Sequence, residues 1–123
     1  MQKFIPLAGR TILSLIFFIS GVGKIFDFTG TQQHMISYGM PFTAFFLVGA
    51  IMLEICGSIS VIMGYKARLG ALALVIFLIP VTFVFHTNFS EWLQIIMFMK
   101  NLSIIGGLLM VISFGPGDIS IDK

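Results

Sequence analysis

Glu54 stands near the middle of an apolar stretch, from Pro41 to Tyr65, that carries no other charge and is long enough to cross a bilayer. A charge at the bilayer centre costs roughly 2.5 to 3.5 kcal/mol on insertion scales, so such a group faces a bundle interior, pairs with a neighbour, or marks a pathway. Arg10, Lys24, His86, Lys100 and Asn101 are the other polar side chains set within or at the edge of apolar stretches. A buried carboxylate among cations can accept or relay a proton, or help hold an anion or a polar head group. Glu54 is therefore the candidate proton-handling residue, and Arg10, Lys24, Glu54, His86, Lys100 and Asn101 are the candidate ligand-binding set.

The elements that must position these residues follow from composition. Of 123 residues, 58% are hydrophobic and 10% charged, against about 25% charged in soluble domains. Such a chain cannot cover a water-facing surface, and the expectation is an all-α integral membrane protein forming a single domain over residues 1–123. Four apolar runs, at about 4–22, 42–64, 69–85 and 92–114, each approach the ~20 residues a helix needs to span the hydrocarbon core. Lys3, Arg10, Lys66, Arg68 and Lys123 gather at the termini and the middle turn, which predicts that both termini are cytoplasmic. The longer connection, Asp27 to Met40, reads as a short interfacial half-helix between the first two spans. In it Thr31 serves as a cap, Gly39 as a left-handed stop, and Pro41 falls in the first turn of span two.

Helical spacing then sorts the polar residues. Arg10, Ser14, Phe17, Gly21 and Lys24 recur at steps of three and four on one seam, the bundle-facing side of span one. Ala50, Glu54, Gly57 and Ser58 share a face whose small residues allow close approach. Counted from the same end of the bundle, Arg10 lies about 20 Å deep and Glu54 about 18 Å at ~1.5 Å per residue. An Arg10–Glu54 ion pair is the expectation, at the floor of a shared cavity whose mouth is lined by Lys24, His86 and Lys100 and which is suited to an anion or a quinone head. The same pair also admits a purely structural reading, as a device that fixes helix packing.

Other chemistries find no pattern. The single cysteine, Cys56, excludes an intramolecular disulfide and reads as a buried packing residue. His34, His86 and Cys56 have no metal-ligand spacing, and phosphate loops, nucleophile elbows and HExxH are missing from the sequence. Seven Lys and Arg form no cluster, so no nucleic-acid partner is expected. Fourteen Phe and eight Met fit lipid-facing and core positions, or the walls of a quinone pocket.

Arg10 with SGVGK at 20–24, GMP at 39–41, ExxG at 54–57, GxxxR at 64–68, His86, and KNLSIIGGLL at 100–109 together resemble the DoxX family of small four-span membrane proteins. The resemblance covers nearly the whole chain. It implies a four-transmembrane-helix bundle in a bacterial-type inner membrane. It also implies a link to membrane redox systems, since relatives such as DoxD are associated with thiosulfate:quinone oxidoreductase and with sulfur and oxidative-stress metabolism. No flavin, haem or iron-sulfur motif accompanies it, so a bound quinone or a separate redox subunit would carry the electrons. The alternative is a non-enzymatic anchor, assembly factor or small-solute carrier. Partners expected are the lipid bilayer, a soluble or membrane redox subunit, and further copies of the chain.

Overall fold

The computed structural model describes residues 4–85 and 90–117, with the side chain of residue 85 excepted. Five helices follow in order: α1 (Phe4–Phe26), α2 (Phe28–Ser37), α3 (Thr43–Met63), α4 (Ala67–Phe85) and α5 (Trp92–Phe114). All but α2 are long and apolar enough to cross a membrane, and fewer than half the residues of any spanning window are buried. Outward-facing side chains such as Ile12, Phe45, Leu69, Phe83 and Leu93 are apolar and exposed. A surface of this kind is stable against hydrocarbon rather than water. The chain is a multi-pass all-α membrane bundle.

α3 is the centre of the bundle, packed on α1 along one side and α4 along the other; α5 packs on α4 and touches α1 only lightly. The core joins Phe17 of α1, Val61 of α3, Ala71, Leu74, Val75, Phe77 and Leu78 of α4, and Leu108 of α5. Glycines set the closest approaches. A Cβ on Gly70 would stand 2.9 Å from the Gly57 carbonyl oxygen and 2.6 Å from Ser60 Oγ, so α4 meets α3 at backbone distance there. On the other flank, a Cβ on Gly21 would stand 3.3 Å from Glu54 Cβ, which places Gly21 opposite Glu54.

The ends have local causes, and some differ from expectation. α1 runs four residues past Val22, to Phe26, because the one glycine in GKIF costs only about 1 kcal/mol and the break falls at Asp27 (φ −125°, ψ 53°). Asp27, rather than Thr31, occupies the start of α2; Thr31 lies a turn inside and donates from Oγ1 to the Asp27 carbonyl at 2.9 Å. Gly39 does take the left-handed conformation (φ 78°) expected of it. Pro41 stays outside α3, which starts at Thr43 after Phe42 turns the chain at φ 51°. Gln32 of α2 donates to Thr43 Oγ1 at 3.3 Å, pinning the half-helix to that start. At the far end Gly64 (φ 74°) stops α3, and Ser60 Oγ donates to the Tyr65 carbonyl at 2.5 Å to close the turn into α4. Cys56 is exposed on the outside of the bundle, not buried in it, because the buried face of α3 runs through Glu54, Gly57 and Ser58.

Candidate functional site

The seam of α1 is as the spacing predicts: Arg10, Ser14, Phe17 and Gly21 are all buried. It does not deliver Arg10 to Glu54. With Gly21 opposite Glu54, Arg10 lies eleven residues back along α1, about 16 Å toward the end where α1 starts. The depth estimate fails because α1 and α3 do not begin level. α3 extends about two turns beyond the end of α1, where α2 folds against it.

Lys24 is the cation that answers Glu54. Its Nζ stands 2.6 Å from Glu54 Oε1, an ion pair with the ammonium off the ideal hydrogen-bond line. Lys24 also donates to Ser20 Oγ, one turn back on α1, at 2.7 Å. Ser20 in turn interacts with the Glu54 carboxylate, so three polar groups from two helices close on one another. Phe77 of α4 presents its ring 5.6 Å from Nζ and is itself braced edge-on by Phe17 at 6.4 Å. The pair is asymmetric in exposure: the Glu54 side chain is 2% exposed and that of Lys24 23%.

What Lys24 faces is a cavity of about 880 Å³ bounded by α2, the first half of α3 and the second half of α4. Phe45, Phe46, Leu47, Met35 and Phe77 supply apolar walls, and Lys24, Thr31 and His34 are its polar members. Small-molecule sites typically measure about 300 to 1,000 Å³ and combine apolar walls with a few placed polar groups. The sequence pointed to Lys24 as a seam residue, but not to the walls that α2 contributes. The spacing of Ser20 and Lys24, four apart, was the available signal for the polar cluster.

The other candidates lie elsewhere. Arg10, 4% exposed, donates from Nε to the Ile62 carbonyl at 3.2 Å and from Nη1 to the Pro116 carbonyl at 2.6 Å. It serves the last turn of α3, where a cation complements the helix dipole, and the chain just beyond α5. Asn101 is buried and donates from Nδ2 to Thr82 Oγ1 at 3.0 Å, while Thr82 donates to the Leu78 carbonyl at 2.7 Å. That interhelical bond joins α5 to α4, and Thr82 as the partner was not foreseen. Lys100 is half-buried and has no hydrogen-bond or ion-pair partner among the described residues, so the shared site of Arg10, Glu54 and Lys100 does not form. His86 lies outside the described residues. No group of three or more potential metal ligands occurs among the described residues.

The DoxX family pattern matches residues 5–87, the segment that supplies α1 through α4 and therefore the whole Lys24–Glu54 site. The chain belongs to the DoxX family. This DoxX protein is 40% identical over 117 residues to inner membrane protein YqjF of Escherichia coli, covering 95% of this chain and 88% of that one. It is 31% identical to inner membrane protein YphA of the same organism, over 95% and 87% of the two chains. Similarity extends to the Surfeit locus protein 4 homolog of Drosophila melanogaster, 30% identical over 99% of this chain, though the match spans only 41% of that longer protein. No solved structure matches this chain.

Proposed function

We propose that this DoxX protein is an inner-membrane component of a quinone-linked redox system, binding the quinone in the cavity between α2, α3 and α4. The observation that carries the reading is one ammonium, Lys24, set at the wall of an otherwise apolar cavity and held there by a buried carboxylate. Lys24 would donate to a head-group carbonyl oxygen; Phe45, Phe46, Phe77 and Met35 would enclose the ring and its tail. A bound quinone supplies the two-electron, two-proton chemistry that no side chain in the cavity offers. Glu54 positions the ammonium. A proton relay through Glu54 would run by way of Lys24 and Ser20, the groups that link it to the cavity side. The inner-membrane names of YqjF and YphA support the location, and Lys66 in the α3–α4 turn with Arg68 in the first turn of α4 supports cytoplasmic termini by the positive-inside rule.

The test is gentle purification from native membranes with mass spectrometry of co-purifying lipid-soluble compounds, followed by quinone binding in proteoliposomes. Quinone enriched over bulk lipid, and binding weakened at least about tenfold in Lys24→Met, is expected for the loss of one charge-assisted hydrogen bond. Recovery of bulk lipid alone would overturn the reading.

A non-enzymatic anchor or carrier is the second reading, favoured by the use of Arg10 and of Asn101 with Thr82 to close helix against helix. Exchanging Lys24 and Glu54 discriminates: a structural pair restores folding and function together, whereas a ligand-binding pair restores folding only.

A further inference from the structure

We infer that Glu54 sets the charge selectivity of the cavity: by neutralising Lys24 it makes the site select a neutral, carbonyl-bearing amphiphile and reject anionic ones. The inference rests on the cavity-binding reading above and adds which head groups can enter.

A lone ammonium at the wall of an apolar cavity would attract the anionic head groups and free anionic amphiphiles of any membrane. Here the cation is not alone. Glu54 Oε1 lies 2.6 Å from Nζ and is almost wholly buried, so the charge cannot be screened by solvent on that side. The pair presents the cavity with a dipole rather than a net charge. His34 is the remaining titratable residue on the cavity wall, and its ring is tilted against that of Tyr38 at 5.0 Å. The formal charges of Lys24 and Glu54 cancel, so the pair adds no net charge to the cavity.

The ammonium nevertheless retains donor capacity. Of its three N–H donors, one serves Ser20, and Glu54 stands beside it as an ion-pair partner. No other hydrogen-bond acceptor meets Nζ among the described residues, and Phe77 beside it offers only a ring face. A neutral carbonyl oxygen can accept from the remaining donor capacity at ordinary hydrogen-bond distance. An anion seated there would stand roughly 4 to 5 Å from the Glu54 carboxylate, close enough for repulsion to offset most of what it gains from Lys24. Selectivity therefore resides in a residue the ligand does not touch.

The experiment compares two photoreactive probes of equal chain length in proteoliposomes, a long-chain methyl ketone and a long-chain alkyl sulfonate that stays anionic at any working pH. It is run at about pH 8, and crosslinked peptides are identified by mass spectrometry. Wild-type protein is expected to label with the ketone at Met35, Phe77 or their neighbours, and at least about tenfold less with the sulfonate. Glu54→Gln, which keeps the side-chain shape and an acceptor for Lys24, is expected to raise sulfonate labelling about tenfold or more relative to ketone. Sulfonate labelling left unchanged in folded Glu54→Gln overturns the selectivity inference, and Glu54→Asn takes its place should that variant not fold. Ketone and sulfonate labelling the wild-type cavity equally, or sulfonate labelling it more, overturns the selectivity inference while leaving the cavity reading standing. Labelling of the cavity by neither probe overturns both.

Discussion

Lys24→Met tests the Lys24–Glu54 pair through stability alone. The Glu54 side chain is 2% exposed and that of Lys24 23%, so the two ends of the pair should respond unequally. Removing Lys24 strands a carboxylate that cannot reach water, and the loss of one partner from a buried pair costs about 3 to 5 kcal/mol. Removing the charge of Glu54 by Glu54→Gln leaves an ammonium that still has Ser20 and an amide oxygen and has a long stem with which to reach the polar edge. That change should cost about 1 kcal/mol, the scale of one ordinary hydrogen bond. The double variant Lys24→Met with Glu54→Leu removes both charges, and replacing a buried pair by apolar groups is often neutral or better. Its stability should therefore return to within about 1 kcal/mol of wild type. Reversible unfolding in mixed micelles, followed by circular dichroism, measures all three. Equal costs for the two single changes, or additive costs in the double variant, would refute a buried pair with one accessible end.

Other consequences follow from particular contacts. Gly70→Ala should destabilise more than Gly21→Ala, both within about 1 to 3 kcal/mol: a Cβ at 70 meets the immobile Gly57 carbonyl at 2.9 Å, whereas one at 21 meets the movable Ile55 Cγ1 at 2.7 Å. Thermal unfolding in detergent ranks them. Arg10→Lys keeps the charge but loses the planar fork that reaches the Ile62 and Pro116 carbonyls together; faster chymotrypsin cleavage after Phe114, with the bundle intact, is the expected readout. Asn101→Leu removes the bond to Thr82 and should cost about 0.6 kcal/mol, the average for hydrogen bonds between membrane helices, and no more than their maximum of about 1.7 kcal/mol. An unchanged unfolding free energy would remove Asn101 from the list of helix-joining residues.

Most of the fold was legible in the sequence, because apolar run length and three-four spacing report directly on what a bilayer demands. The buried seam from Arg10 to Gly21 and the buried face of Glu54, Gly57 and Ser58 are cases in point. Pairing across helices was less legible, since it depends on their relative shift. Arg10 and Lys24 share one seam, and the sequence counts depth from helix ends that are not level; the closeness of Gly21 to α3 decides the matter. Thr82 and Phe77 escaped for a similar reason. Their contacts with Asn101 and Lys24 depend on how α4 is rotated, and apolar residues nearly all round α4 leave no stripe from which to read it.

The packing of α5 has a consequence in time. This last helix buries only Asn101 and Leu108, leans on α4, and lies beyond the segment that the family pattern covers. The trio of α1, α3 and α4 therefore holds nearly all of the core before α5 leaves the ribosome. A chain ended at residue 90 is expected to insert and to keep α1, α3 and α4 protected from hydrogen exchange; loss of that protection would show that α5 is needed sooner. When α5 does dock, Pro116 arrives at a guanidinium made more than a hundred residues earlier. The first helix thus holds the chain that leaves α5.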